Sequence, residues 1–238
     1  MITAAHGHKQ ASGGLRQIIR KRTRRMRADI RAVLLDGDGV VQVPEASWIG
    51  DIQALCGDAS RADAFLRDVF EAERPALLGQ ADFRPNLQQV LLKWGAAAPV
   101  DEALRVWHKI QPDADALDLV RELRADGLIV GLASNQQRYR ASYMEEKLAY
   151  RTLFNQLLFS CDLGSAKPDR QYFDKALQRL AVRSDQALFI DDHLANVEAA
   201  RHCGIHAEVF HLREGVARLR AILVAWGLLS DRAAGRLT

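Results

Sequence analysis

The sequence predicts an α/β protein, a Rossmann-like doubly wound parallel sheet with an inserted helical cap domain, and three observations carry that prediction. Five short apolar segments recur along the chain, the later four separated by helical patterns. A long helical stretch separates the first from the second. Polar clusters stand at or just beyond the C-terminal ends of the first four. Continuous apolar runs alternating with helices mark strands covered on both faces, the habit of parallel sheets.

The five segments are 32–36 (AVLLD), 128–133 (LIVGLA), 156–161 (QLLFSC), 187–191 (ALFID) and 206–210 (HAEVF), each rich in β-branched or large apolar residues. The interval 44–112 is far longer than one crossover helix needs. Within it Phe83, Leu87, Val90, Leu91 and Trp94 share one helical face, as do Val100, Leu104 and Trp107. Pro44, Pro75, Pro85, Pro99 and Pro112 read as punctuation between helices. The expected partition is a basic leader at 1–28, a core from 29–43 plus 113–238, and a cap at 44–112 over the C-terminal edge of the sheet, where such folds bind ligands. Hinges are expected near Val43-Pro44 and Gln111-Pro112. Leu212, Val216, Leu219, Leu223 and Trp226, at 4-3-4-3 spacing with Gly227 as C-cap, form a final packing helix.

Apolar residues make up 48% of the 238 and charged residues 26%, enough for a full core, and no uninterrupted run of 18 apolar residues is present to span a bilayer. The net charge of +3 hides an asymmetry. Residues 1–28 hold Lys9, Arg16, Arg20, Lys21, Arg22, Arg24, Arg25 and Arg27 with no acid, so residues 29–238 carry −5. The basicity belongs to the leader and gives no reason for the body to bind nucleic acid; only the leader is a candidate for that. The leader reads as a disordered tail, although its Arg-rich, acid-free character weakly imitates a transit peptide, and Met26 offers an alternative start. Cys56, Cys161 and Cys203 are odd in number and lack CxxC spacing, which fits a reducing cytoplasm.

The chemistry is concentrated at the strand ends. Asp36 and Asp38 flank Gly37, and two carboxylates held close repel unless a proton or cation lies between them; a hard divalent ion such as Mg²⁺ resolves this. The plain alternative is an Asp-Gly turn. Ser134-Asn135 offers a hydroxyl and backbone N–H groups suited to a phosphate oxygen, or an ordinary N-cap. Lys167 beside Pro168 supplies one cation, or is a surface lysine before a helix starting at Pro168. Asp191-Asp192 adds two carboxylates, with Asn196 one turn on, or caps a helix. Each alternative is reasonable alone; four together on one edge of one sheet make coincidence the poorer explanation.

With these motifs the sequence resembles the haloacid dehalogenase superfamily of hydrolases. DGDGV is similar to its first motif, Ser134 to its second, Lys167-Pro168 to its third and Asp191-Asp192 to its fourth, across roughly residues 32–210. The insertion resembles the α-helical cap of the subgroup containing sugar-phosphate phosphatases and β-phosphoglucomutase. The resemblance implies a Mg²⁺-dependent phosphatase for a small phosphorylated metabolite; whether it works as a monomer or homodimer stays open. Asp36 is then the nucleophile that forms an aspartyl-phosphate, and Asp38 the acid and base, its backbone carbonyl also on the metal. Asp192 is the direct metal ligand, Asp191 acts through water, and Ser134, the Asn135 amide and Lys167 hold phosphoryl oxygens. The second acid, Asp38, favours phosphoryl chemistry over dehalogenation. The departure from the family's pattern is Gly37, where many relatives carry a larger apolar residue; its expected effect is a slightly looser turn. The rivals are a phosphomutase, and a non-catalytic binding protein whose leader touches nucleic acid or anionic lipid.

Other residues carry less. Arg74, Arg84 and Lys109 in the insertion are candidates to reach a substrate, against the commoner solvated helix face. His202, Cys203 and His206 imitate a metal cluster by composition, but a helix end at Gly204 works against it. His193 adjoins the metal acids without a derivable role.

Overall fold

The structure, a computed structural model, describes residues 29–230; the basic leader at 1–28, with its Met26 start, and residues 231–238 lie outside the described residues. The chain enters as β1 (Ala32–Leu35), passes through a short strand β2 (Gln42–Pro44), and builds the insertion from α1 (Trp48–Ala54), α2 (Ala62–Leu77), α3 (Phe83–Trp94) and α4 (Val100–Leu104). It returns through β3 (Ile110–Pro112), α5 (Ala114–Ala125) and β4 (Ile129–Ser134). Next come α6 (Arg138–Ser142), a π-helical turn Tyr143–Lys147, α7 (Tyr150–Leu153), β5 (Gln156–Phe159) and α8 (Ser160–Leu163). The chain closes with α9 (Arg170–Leu180), β6 (Ala187–Asp191), α10 (Leu194–His202), β7 (His206–Val209) and α11 (Val216–Ala225).

Five strands form one sheet in the order β5-β4-β1-β6-β7, every pair parallel. Their side chains alternate between two cores, as a two-residue period requires. Val33, Leu35, Val130, Leu132, Leu188 and Ile190 pack toward Leu119, Val120 and Leu123 of α5 and Leu219 and Leu223 of α11. Ala32, Leu34, Ala133, Leu158 and Phe189 pack toward Tyr172, Phe173 and Ala176 of α9 and Val197 and Ala200 of α10. All four residues of β1 are fully buried, and each large one contributes about 1.5–3 kcal/mol of burial. Burial on both faces pins the register that delivers Asp36 to the sheet edge. No described helix is long and apolar enough to cross a membrane.

The insertion has its own apolar cluster, with Phe65, Val69, Phe83, Leu87, Val90, Val100, Leu104 and Trp107 buried together and Phe83 edge-on to Trp107 at 4.9 Å between ring centroids. Its two ends meet in an antiparallel ribbon, Gln42 opposite Pro112, Val43 opposite Gln111 and Pro44 opposite Ile110. The sequence shows only proline-flanked hinges there, because three-residue strands carry too little pattern to read.

Other boundaries move for local reasons. Asp36 lies just past β1, and the third segment turns helical at Ser160. Pro75 does not separate helices; it sits in the last turn of α2, three residues before the C-cap at Leu78. Leu212 belongs to a separate 3₁₀ turn, while Gly227, at φ 72°, ends α11 in the left-handed region as expected.

Candidate active site

Asp36 extends the ladder of β1, its amide donating to the Ile190 carbonyl at 2.9 Å. The chain then folds back on itself: the Gly37 carbonyl accepts from the amides of Val40, Val41 and Gln42, and Gly39 takes φ +85°. Two glycines let three loops close on one another. A Cβ on Gly37 would lie 2.9 Å from Ser134 Oγ, and one on Gly39 would lie 2.3 Å from Asp192 Oδ2. The sequence leads one to expect only a slightly looser turn at Gly37, but the residue does more than that; a larger one there has to displace Ser134 Oγ.

Lys167 is buried, and its Nζ donates to Asp36 Oδ1 at 2.7 Å and Asp191 Oδ2 at 2.6 Å. It is not a surface lysine, and the following helix starts at Arg170, capped by Asp169, rather than at Pro168. Its backbone is clamped by the Asn135 side chain, which donates to the Lys167 carbonyl at 2.8 Å and accepts from the Lys167 amide at 2.9 Å. Ser134 ends β4, with Oγ 2.9 Å from Gln136 Nε2, while α6 begins only at Arg138 with Gln137 as its N-cap. Ser134 is thus not a helix cap.

Asp191 is fully buried and spoken for: besides Lys167 it accepts from the His193 amide at 2.8 Å and from Asn196 Nδ2 at 3.0 Å. Asp192 differs, since its Oδ1 is buried without a hydrogen-bond partner. One oxygen each from Asp36, Asp191 and Asp192 lie within 4.8 Å of one another, an all-oxygen donor set with an orphaned acceptor that fits a hard cation. Burial, together with the charges of Asp191 and Asp38, pushes the Asp36 pKa up to about 7 even against Lys167. Burial likewise raises that of Asp192. For Lys167, burial works against the charged form but the two carboxylates outweigh it and hold its pKa above the ordinary value.

Asp38 lives in different surroundings. Arg140 grips its carboxylate with both terminal guanidinium nitrogens, at 2.5 and 2.9 Å, and Gln42 Nε2 donates to it at 2.9 Å. Burial would raise its pKa, but Arg140 and the hydrogen bonds overcome that and leave it below the ordinary carboxylate value. The Asp38 side chain is consequently outside the three-carboxylate group.

A cleft of about 380 Å³ joins Asp36, Asp38, Ser134, Asn135, Lys167 and Asp192, so the strand-end residues singled out in the sequence converge, with Asp191 buried behind. His193 and His211 also line it, their Nε2 atoms 3.8 and 4.0 Å from Asp192 oxygens. The insertion's cations do not reach it: Arg74 pairs with Glu71, Arg84 with Asp101 and Lys109 with Asp51. His202 bonds the Glu198 carbonyl and His206 packs on Trp226, so with Cys203 they form no metal group among the described residues. Sequence reasoning missed Arg140, Gln42, Gln136 and His211. Arg140, six residues after Ser134 in QQRYR, shows only as one of two arginines at the start of a helix, and nothing in that pattern says which one turns inward.

A parallel sheet that gathers carboxylates, a lysine and a hydroxyl at its C-terminal edge, beneath a helical insertion, defines a class of acid-rich α/β hydrolases. Residues 30–204 match the haloacid dehalogenase-like hydrolase family, and the chain belongs to it. A phosphorylated carbohydrates phosphatase of Thermotoga maritima is 24% identical over 209 residues, covering 82% of this chain and 93% of the relative. A sesquiterpene phosphatase of Aspergillus oryzae is 29% identical over 108 residues, 45% of this chain and 54% of that one. The chain spans about half, or less, of the length of six of its curated relatives. Among solved structures, a HAD-family enzyme of Bacteroides thetaiotaomicron, 20% identical, superposes with a TM-score of 0.68 over 80% of this chain and 98% of its own, which shows the shared fold.

Proposed function

We propose that the chain is a Mg²⁺-dependent phosphatase that hydrolyses a small phosphomonoester through an aspartyl-phosphate on Asp36. The observation that carries this reading is the buried Lys167 bridge between Asp36 and Asp191 beside an unpartnered Asp192 oxygen. One buried cation does not balance three clustered carboxylates, and the missing charge is the kind a divalent ion brings. Asp36, Asp192 and the Asp38 backbone carbonyl would hold the ion, with Asp191 behind them acting through water. Bound there, Mg²⁺ offsets the charge of the phosphoryl group and keeps Asp36 ionised.

The chain's own residues supply the rest. Asp36 attacks phosphorus, so that an Oδ–P bond forms as the bond to the leaving oxygen breaks and that oxygen takes a proton from Asp38. Water then attacks the same phosphorus and gives a proton to Asp38. The Oδ–P bond breaks, phosphate leaves and Asp36 is a carboxylate again. Ser134 Oγ, the Asn135 amide and Lys167 Nζ hold phosphoryl oxygens, and the Asn135 side chain keeps Lys167 in place. As a carboxylate under Arg140, Asp38 suits the water-activating half; donation requires that grip to loosen.

Several relatives are phosphatases, which supports phosphoester chemistry. Their names, a phosphatase of phosphorylated carbohydrates and one of sesquiterpenes, set the substrates worth trying, and a solved HAD-family neighbour of B. thetaiotaomicron carries magnesium and inorganic phosphate. The test is phosphate release from sugar phosphates, prenyl phosphates, nucleotides and p-nitrophenyl phosphate, with and without Mg²⁺, for wild type and Asp36→Asn. Release that needs both the ion and Asp36 is expected. Transfer of phosphate to a second sugar hydroxyl instead of water would make the enzyme a mutase, and release unaffected by Asp36→Asn would sink the mechanism.

A further inference from the structure

Arg140 is the most heavily engaged cation outside the Asp36–Lys167 group, and the proposed chemistry leaves it without a task. It projects from α6, a core helix, and is 5% exposed. Its guanidinium uses four of its five N–H donors. Nη1 donates to Asp38 Oδ2 at 2.5 Å and to Gln136 Oε1 at 2.9 Å, Nη2 donates to Asp38 Oδ1 at 2.9 Å, and Nε donates to the backbone carbonyl of Trp107 at 3.1 Å. The two-pronged contact fixes the plane of the Asp38 carboxylate as well as its position, which a lysine cannot do. Trp107 belongs to the insertion, so the same planar group touches the catalytic loop and the cap at once.

The other grips on Asp38 also lead toward the insertion. Gln42, which donates to Asp38 Oδ1 at 2.9 Å, lies in β2 of the ribbon where the insertion leaves the core, and its Oε1 accepts from Tyr150 Oη at 3.0 Å. Asp38 is thereby oriented from two sides, by a residue on the cap's stalk and by a residue bonded to the cap's last turn. Asp36, by contrast, is held entirely within the core.

We propose that Arg140 is a positioning residue for phosphoryl transfer: through its two-pronged bond it sets the orientation of Asp38 toward the cleft, and through Trp107 it makes that orientation depend on a seated cap. This rests on the reading of Asp38 as the acid and base. Of the groups that hold the Asp38 carboxylate, Arg140 alone makes a two-pronged bond; Gln42 Nε2 makes a single one at 2.9 Å and Gln136 Nε2 reaches it only at 3.4 Å. Without Arg140 the carboxylate keeps the single Gln42 bond and can turn about it, and the loss falls on the chemical step and not on substrate capture.

The experiment is a double-mutant cycle on turnover of p-nitrophenyl phosphate with saturating Mg²⁺, comparing wild type, Arg140→Met, Asp38→Asn and the double variant, with Tm recorded for each. Expected are a fall in kcat of about 10²-fold for Arg140→Met with KM changed less than about twofold, partial recovery of kcat on adding guanidinium, and almost no further loss when Arg140→Met is placed on Asp38→Asn. Arg140→Lys, which keeps the charge and the fold, is expected to stay well below wild type because it lacks the fork. Multiplicative losses in the double variant, with no guanidinium recovery, would mean that Arg140 only supports the fold, and a rise in kcat on removing it would reverse its role; either overturns the inference and leaves the phosphatase reading standing. An Asp38→Asn variant as active as wild type, or a wild type that releases no p-nitrophenolate, overturns the reading of the site itself and the inference with it.

Discussion

The sheet edge around Asp36 and the seam around Asp38 start two residues apart and treat a carboxylate in opposite ways. At the sheet edge burial dominates, one lysine is shared between two acids, and the Asp36 pKa is pushed up to about 7. At the seam the same desolvation is outweighed by a guanidinium whose only carboxylate hydrogen bonds go to this acid, together with hydrogen bonds from Gln42 and Gln136, and the Asp38 pKa falls below its usual value. Burial alone therefore does not decide whether an acid in this protein stays charged; the ratio of cations to carboxylates does. The first arrangement leaves a group short of positive charge and receptive to an ion, and the second leaves one already satisfied.

The most damaging way to break the sheet edge is Lys167→Met. It strands two buried carboxylates, and chemical denaturation without metal at pH 8 is expected to show a loss of about 3–5 kcal/mol, part of which Mg²⁺ restores. If stability is unchanged, the bridge is not what holds this edge together.

Asn in place of each acid tests the contrast directly. The raised pKa of Asp36 means that the metal-free folded chain binds this proton more tightly than the unfolded chain does. Its contribution is complete below about pH 3.8 and is lost as pH rises toward about 7. For Asp38 the sign reverses: its contribution is present above about pH 3.8 and is lost as pH falls through its lowered folded value. Asp36→Asn is thus expected to raise the metal-free Tm at pH 8 while lowering turnover about 10⁴-fold, whereas Asp38→Asn, which leaves Arg140 without its carboxylate, costs roughly 3 kcal/mol at the same pH. Shifts of the same sign for the two variants would erase the distinction.

Smaller changes sharpen it. Glu73 is a buried carboxyl of the insertion, its pKa pushed up to about 7 by burial against the pull of Trp107 and Arg140. Glu73→Gln is expected to stabilise the protein by about 2–3 kcal/mol at pH 8 and by much less at pH 5, where the carboxyl is protonated in the fold; calorimetry at the two pH values reads the difference. Gly37→Ala, which crowds Ser134 Oγ, should cost about 1 kcal/mol and raise KM several-fold while leaving the Asp38–Arg140 contact intact.

The sequence carries the sheet edge well and the seam poorly, and the reason is physical. Asp36, Ser134, Lys167 and Asp191-Asp192 each follow a strand whose apolar run is long enough to read, and a parallel sheet delivers every strand end to one edge. Arg140 and Gln42 act through partners 102 and 4 residues away, from a five-residue helix and a three-residue strand that leave no periodic signal. Asp38 was visible as a carboxylate; its captor was not, because a helix start with two arginines does not disclose which one faces in. The same holds for Glu73, whose burial depends on how the insertion's helices turn toward the core.

The ribbon of β2 and β3 has a consequence for how such a molecule can be remade. From the core's standpoint everything between Pro44 and Ile110 is a hairpin loop, because the chain departs and returns across three paired residues. Enlarging or shrinking a loop whose ends are already fastened costs little in closure entropy, about 0.6 kcal/mol per doubling of length. The insertion can therefore be exchanged for another helical module, grafted at Pro44 and Ile110, without disturbing the strand register that delivers Asp36, and a chimera would keep the sheet edge of one parent beneath the helical layer of the other.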